Sequence, residues 1–179
     1  MTAPALSVVV PALNEEDRLP RTLERIVSHL GRRHEGFELV VVDDGSRDRT
    51  AERAQAAGAT VLRNETNRGK GYAVRRGMLA ARGARRLMTD ADLSTPIEEL
   101  DRLCARMDEG HDVVIGSRAL PGARIEVHQP WYRENMGRLF NLFVRALAVP
   151  GVTDTQCGFK LFTRQAADTL FAGRPDGST

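Results

Sequence analysis

The hydrophobic positions of the chain fall into two alternating kinds of run. Residues 6–10 and 37–42 are short, β-rich and apolar apart from Ser7 and Glu38, and each ends in polar residues. This is the pattern of strands buried on both faces of a parallel sheet, since a strand with one wet face would alternate. Between them Leu19, Leu23, Ile26, Val27 and Leu30 recur at helical spacing, and Gly31 follows as a stop signal. The unit then repeats. A helix is predicted over 50–57 ending at Gly58, a strand over 60–62, a helix over 72–81 and a strand over 86–89. Thr95, Pro96 and Glu98 supply an N-cap, a first-turn proline and a capping-box acid for a helix with apolar positions Ile97, Leu100, Leu103, Cys104 and Met107. Residues 112–115 read as another strand. Beyond it the alternation gives way to a polar loop with Pro121, Gly122, His128 and Pro130, which fits an acceptor-side loop. Met136, Phe140, Phe143 and Leu147 make one face of a further helix, and 158–162 form the predicted final strand. The order is that of an open, mostly parallel α/β sheet flanked by helices.

Composition narrows this picture. A length of 179 residues with 41% hydrophobic content suits one domain with an ordinary core. The longest apolar runs are too short to cross a bilayer and no signal segment opens the chain, so a cytosolic protein is expected. Cys104 and Cys157 lie far apart without paired spacing, which predicts free thiols rather than a disulfide framework or a zinc site. The net charge is only +2, yet from Arg63 to Arg86 eight cations (Arg63, Arg68, Lys70, Arg75, Arg76, Arg82, Arg85, Arg86) face only Glu65. Such a surplus fits a solvated helix face and an anion-binding surface equally well. Nucleic acid is disfavoured, because no aromatic residues alternate with the cations and no reader motif occurs.

In open parallel sheets ligands bind beyond the carboxyl ends of the strands, so the residues after each strand are the ones to inspect. The first strand runs into Pro11, Ala12, Leu13, Asn14, Glu15 and Glu16, the second into Asp43, Asp44, Gly45 and Ser46, and the fourth into Asp90, Ala91 and Asp92. Three acidic clusters thus converge on one edge. Asp90 and Asp92 offer hard oxygen ligands to Mg²⁺ or Mn²⁺, which bind through one or two carboxylates and complete their shell with water and substrate phosphates. Asp43 and Asp44 also suit helix capping and turn formation before Ser46 and Asp48. Asn67, Arg68, Gly69, Lys70 and Gly71 precede a helix, but Val74 stands where a dinucleotide fingerprint needs its third glycine, and no Gly-Lys-Ser/Thr loop exists. A dehydrogenase or P-loop enzyme is disfavoured. The glycine loop still offers backbone N–H groups and Lys70 or Arg68 to a diphosphate.

Taken together these motifs resemble glycosyltransferase family 2, whose fold is the single nucleotide-binding sheet called GT-A. The resemblance runs from Val8 to about Phe162. It rests on the ordered occurrence of Pro11 to Glu15, Val42 to Ser46, Asn67 to Gly71 and Asp90 to Asp92. Gly116, Ser117 and Arg118, with Asp154 to Lys160, are similar to the dolichyl-phosphate β-glucosyltransferase branch, whose members use UDP-glucose and a polyprenyl phosphate. The resemblance implies that Pro11, Asn14, Glu15 and Asp43 surround the base and ribose, with Asp44 nearby. Asp90 and Asp92 would hold the metal and diphosphate. Arg118 would meet the acceptor phosphate, with Arg133 and Arg138 as further candidates, and Asp154, Gln156 and Lys160 would border the transfer site. Family members also continue past the last strand of this chain, so the resemblance implies a single GT-A domain lacking a C-terminal segment.

The expected reaction is an inverting displacement at the anomeric carbon, moving a hexose from a nucleoside diphosphate to a polyprenyl phosphate. A lipid monophosphate is already an anionic nucleophile at neutral pH, whereas a sugar hydroxyl would need a base such as Asp154. Across 118–145 five arginines (118, 124, 133, 138 and 145) face only Glu126 and Glu134, and Trp131, Tyr132 and the Phe140 face suit peripheral contact with the cytoplasmic face of a membrane. Three alternatives stand beside this reading: a GDP-mannose-dependent mannosyltransferase, a hydroxyl-acceptor polysaccharide enzyme, and a truncated nucleotide-binding module without activity.

Overall fold

The computed structural model describes residues 3–32, 36–116 and 157–172. In chain order the elements are β1 (Leu6–Ala12), α1 (Leu19–Leu30), β2 (Phe37–Asp43), α2 (Thr50–Ala56), β3 (Thr60–Arg63), α3 (Lys70–Ala80), β4 (Arg85–Met88), a 3₁₀ turn (Ile97–Glu99), α4 (Leu100–Asp108), β5 (Val113–Ile115), β6 (Lys160–Thr163) and α5 (Arg164–Ala172). The predicted sheet is present. Its order is β3-β2-β1-β4-β6-β5. The first four strands in this order run parallel, while β6 is antiparallel to both β4 and β5.

Alternate residues of the buried strands serve two cores. Val8, Val10, Leu39 and Val41 pack with Leu19, Leu23, Ile26 and Leu30 of α1 and with the apolar side of α4. Val9, Val40 and Val42 pack with Ala73, Val74 and Met78 of α3 and Ala167 of α5. Gly77 lets α3 approach closely, since a Cβ there would lie 2.8 Å from Val42 Cγ2 and closer still to Val9 Cγ1. This two-sided burial explains why consecutive residues 8–10 and 39–42 are apolar.

β1 extends two residues beyond the predicted strand, through Pro11 and Ala12, which pair with Val42 and Asp43. Proline is tolerated in this central strand because of where the ladder ends. Val9 O accepts from Thr89 N on the β4 side and Ala12 O from Asp44 N on the β2 side. Pro11, in phase with Val9, aims its missing N–H toward β4, whose pairing with β1 stops at Met88.

Three expectations need correction. The capping box at Thr95 and Glu98 does not form: the helix opens as a 3₁₀ turn after Pro96 with no side-chain cap, and Thr95 Oγ1 instead lies 3.5 Å from Cys157 Sγ. α3 starts at Lys70 rather than at 72, because Gly69, at φ 91°, supplies the sharp entry. The strand predicted over 158–162 begins at Lys160 and is followed by a helix, α5, that the periodicity did not reveal. The loop predicted around Pro121 and the helix through Met136 and Leu147 lie outside the described residues.

Candidate active site

The chain winds outward from β1 through β2 to β3, then returns to the other side of β1 as β4. The strand order therefore reverses between β1 and β4, and in open sheets the crevice at such a reversal is where ligands bind. The loops after β1, β2 and β4 all meet there.

The first two loops are stitched together by side chains. Asn14, at φ 53°, donates its N–H to Ser46 Oγ at 2.9 Å, and its Oδ1 accepts from Arg47 N at 2.9 Å. Glu15 N donates to Thr50 Oγ1 at 2.8 Å, and Glu16 N to Asp48 Oδ2 at 3.2 Å. Asp48 in turn accepts from Thr50 N at 2.9 Å and from the Thr50 hydroxyl at 2.5 Å. Burial pushes the Asp48 carboxyl up, but the Thr50 hydroxyl and the Thr50 and Glu16 amides outweigh it and hold the group below its ordinary range.

Asp43 and Asp44 are both buried, and each fixes a turn. Asp43 Oδ1 accepts from Ser46 N at 2.9 Å, and its Oδ2 lies 3.2 Å from Arg63 Nε, an ion pair whose angle is not that of a hydrogen bond. Asp44 accepts from Asn64 Nδ2 at 2.5 Å, Arg68 N at 3.0 Å and Gly69 N at 2.8 Å. Gly45, at φ 78°, is required here: a Cβ would stand 2.7 Å from Thr66 C and 2.8 Å from Asn67 N. The turn-forming reading of this acidic pair is thus present in the structure. It also narrows the expectation about the glycine loop, because the Arg68 and Gly69 N–H groups are given to Asp44.

The basic run between Arg63 and Arg86 resolves in the same way. Arg75 donates to Phe171 O at 2.8 Å, Arg76 to Arg63 O at 2.8 Å and to Asn64 Oδ1, Arg82 pairs with Glu38, Arg85 with Asp108 and Arg86 with Asp168. Arg68 lies over the Tyr72 ring, 3.9 Å from its centroid. These arginines hold the fold together locally. Lys70 differs: its Nζ lies 2.6 Å from Asp90 Oδ1 at the candidate edge.

After β4, Leu93 is held at φ 46° while almost fully buried, a conformation costly for leucine and often found beside functional sites. Its N–H donates to Asp90 O at 3.2 Å, and Thr22 of α1 donates its hydroxyl to Ala91 O at 2.6 Å. Asp92 Oδ1 accepts from Ser94 N at 3.0 Å and Ser94 Oγ at 2.7 Å. Asp90 rests against Gly158, where a Cβ would come within 2.5 Å of the Asp90 Cγ. Gly158 is a site residue that sequence reasoning did not single out, although a glycine just before a strand was a signal of close approach. Lys160 is buried in β6 opposite Met88, two residues before Asp90. Arg118, Arg133, Arg138, Asp154 and Gln156 lie outside the described residues.

One feature of the edge fits a divalent cation. The buried Asp90 Oδ1 has no hydrogen-bond donor and already faces an ammonium ion that approaches off the hydrogen-bonding direction. Among the described residues no group of three or more His, Cys, Asp or Glu side chains converges.

The open sheet, its strand reversal and its carboxylate edge define a nucleotide-sugar type of α/β fold. Residues 7–171 match glycosyl transferase family 2, and the chain belongs to that family. It is 38% identical over 183 residues to a dolichyl-phosphate β-glucosyltransferase of Dictyostelium discoideum, covering 93% of this chain and 56% of that protein. It is also 38% identical over 178 residues to an undecaprenyl-phosphate 4-deoxy-4-formamido-L-arabinose transferase of Pseudomonas aeruginosa, covering 94% of this chain and 50% of the relative. The chain spans about half the length of the curated relatives it matches. Among solved structures it is similar to glucosyl-3-phosphoglycerate synthase from Mycobacterium tuberculosis, in complex with Mn²⁺, UDP-glucose and phosphoglyceric acid. That similarity has a TM-score of 0.64 at 27% identity and covers 90% of this chain and 57% of the other.

Proposed function

We propose that this chain forms the donor-binding part of an inverting hexosyltransferase that moves glucose from UDP-glucose to a polyprenyl phosphate. The observation that carries the reading is the meeting of Lys70, Asp90 and the post-β1 and post-β2 loops where the strand order reverses. The relatives support the lipid acceptor, and the Mn²⁺ and UDP-glucose complex of the solved neighbour supports the donor.

In this reading Pro11, Asn14, Glu15 and Asp43 surround the base and ribose. Asp44 acts from beneath them, by fixing the loop that launches Lys70. Asp90 and Asp92 would hold a Mg²⁺ or Mn²⁺ ion, which when bound supplies positive charge to the departing diphosphate. Lys70 adds a cation on the same side. The acceptor phosphate oxygen attacks the anomeric carbon from the face opposite the nucleotide; the new C–O bond forms as the bond to the diphosphate oxygen breaks, and the electron pair leaves with UDP. A phosphate monoester whose second pKa is about 6 needs no strong base at neutral pH. Arg118, with Arg133 and Arg138, would receive the acceptor phosphate through bidentate bonds, and Asp154, Gln156 and Lys160 would border the transfer point. No helix among the described residues is long and apolar enough to cross a membrane. Contact with the lipid is assigned to the arginine- and aromatic-rich stretch over 118–145, at the cytoplasmic face of a membrane.

The solved neighbour favours a second reading, because its complex holds phosphoglyceric acid, a small phosphorylated acceptor. One experiment separates the possibilities. Labelled UDP-glucose and GDP-mannose are each offered with short-chain polyprenyl phosphate or phosphoglyceric acid, in a protein extended to the length of the relatives. Transfer from UDP-glucose to the lipid phosphate is expected. Transfer only from GDP-mannose, or only to the soluble acid, would replace the corresponding half of the proposal.

A further inference from the structure

The Lys70–Asp90 ion pair lacks a hydrogen bond, a trait it shares with Arg63 and Asp43, but it alone of these two joins the start of α3 to the loop after β4, where the strand order reverses. Lys70 is the first residue of α3, and the backbone just before it is pinned: Gly69 N donates to Asp44 Oδ2 at 2.8 Å and to Asn67 Oδ1 at 2.9 Å. Asp90 is fixed from the other side, because the backbone of Gly158 lies against its carboxylate with no room for a side chain. Both ends are held by close contacts, yet the contact between them is incomplete. Nζ is 2.6 Å from Oδ1, but the approach lacks hydrogen-bond geometry, and the Lys70 side chain remains 52% exposed. Glu38 and Arg82, by contrast, make two well-directed bonds at 3.0 and 2.9 Å.

We infer that Lys70 is a tethered counter-cation of Asp90 that an anionic diphosphate must draw off before a divalent cation can take the carboxylate, so that nucleotide and metal bind cooperatively. The inference rests on the donor reading for the identity of the anion. The physical reason is short-range repulsion: an ammonium ion in contact with one carboxylate oxygen places a full positive charge beside any metal ion approaching the same group. A diphosphate gives the ammonium a second anionic partner and removes that charge from the carboxylate. Because coupling between two ligands is reciprocal, metal must tighten nucleotide binding by the factor by which nucleotide tightens metal binding. Lys70 is a positioning residue in this scheme. It sets the order of assembly by passing from the Asp90 carboxylate to the diphosphate.

The test is a Mn²⁺ titration of the full chain, read by the electron paramagnetic resonance of free Mn²⁺, first without nucleotide and then with saturating UDP. Lys70→Met and Lys70→Gln each remove the charge from a half-exposed helix start, and Lys70→Arg retains it. Circular dichroism establishes that each variant is folded. Without nucleotide, the two neutral variants are expected to bind Mn²⁺ about tenfold more tightly than wild type, within the usual range of coupling strengths, and Lys70→Arg to bind as wild type does. UDP should tighten Mn²⁺ binding in wild type by a larger factor than in Lys70→Met. Nucleotide-free Mn²⁺ binding by both neutral variants that is no tighter than wild type, including no binding in any of them, would overturn the inference. The nucleotide-free arm decides the role of Lys70 even if UDP binds none of the proteins, an outcome that sinks the donor reading instead.

Discussion

Helix α3 joins two carboxylate sites at opposite edges of the sheet, and they are finished to different degrees. Near its far end Arg82 meets Glu38, which accepts from the Ser7 hydroxyl at 2.6 Å, from Arg82 N at 2.6 Å and from both arms of the Arg82 guanidinium. Ser7 Oγ accepts in turn from Gly83 N at 2.7 Å. Every strong bonding direction there is used. At its near end Lys70 meets Asp90, whose Oδ1 is left without a hydrogen-bond donor. Saturated carboxylates such as Glu38 and Asp44 stabilise the fold, whereas an unsaturated one at the strand reversal is available to a ligand. Buried polar groups are nearly always satisfied; Asp90 Oδ1 shares its lack of a donor with Asp43 Oδ2, and what sets Asp90 apart is its place beside Lys70 at the strand reversal.

The comparison breaks first at Asp44. Asp44→Ala leaves the buried Asn64 amide and the Arg68 and Gly69 N–H groups without an acceptor, and about 3 kcal/mol of stability should be lost, as measured by urea denaturation. A loss below about 0.5 kcal/mol would mean that water replaces those bonds and that Asp44 is not a structural carboxylate.

Gly45→Ala should cost about 2 kcal/mol, combining the strain of a positive φ with the clash against the Thr66 and Asn67 backbone. A thermal-unfolding midpoint equal to wild type would show that the loop moves aside without penalty.

Glu38→Gln should cost about 1–2 kcal/mol at neutral pH through weakened charge-assisted bonds. The cost should depend on acidity. Burial pushes the Glu38 carboxyl up, but the Ser7 hydroxyl and the Arg82 amide and guanidinium outweigh it, and its folded value lies below the ordinary 4.5. A depressed folded value means that the unfolded chain takes up the proton first. The stabilisation is therefore full above pH 4.5 and falls as the pH drops below it toward the folded value. Denaturation curves for the two proteins should converge in that acidic window, and a gap that stays constant down to complete protonation would contradict the assignment.

The smallest effect on stability belongs to the unsaturated site. Asp90→Asn should change stability by no more than about 0.5 kcal/mol, since it removes only a partly exposed, poorly directed ion pair. A loss as large as that of Asp44→Ala would erase the distinction between the two kinds of carboxylate.

Much of this arrangement was legible in the chain itself. The consecutive apolar residues at 8–10 and 39–42 announced strands buried on both faces, and the acidic residues after β1, β2 and β4 pointed to one edge of the sheet. What could not be read was how charges divide their partners. Arg75, Arg76 and Arg82 look alike in the sequence, yet they bond to a helix-end carbonyl, a strand carbonyl and Glu38, because the sheet brings distant residues beside α3. Asp44 and Asp90 likewise appear as equivalent loop acids until the fold gives one of them three donors. Thr95, Pro96 and Glu98 misled for a related reason. The local capping signal was overridden when β6 brought Cys157 against the Thr95 hydroxyl.

The central claim is that the unsaturated edge holds a nucleotide diphosphate through a metal ion. Calorimetric titration of UDP-glucose into the full chain, with Mn²⁺ and after its removal by chelation, tests it directly when wild type and Asp92→Ala are compared. Wild type should bind at least about tenfold more weakly once Mn²⁺ is removed, and Asp92→Ala with Mn²⁺ present should remain folded but lose a similar factor, as expected when a site loses a metal-ligating carboxylate. Equal affinity in the two proteins, or binding that survives removal of the metal unchanged, would contradict it.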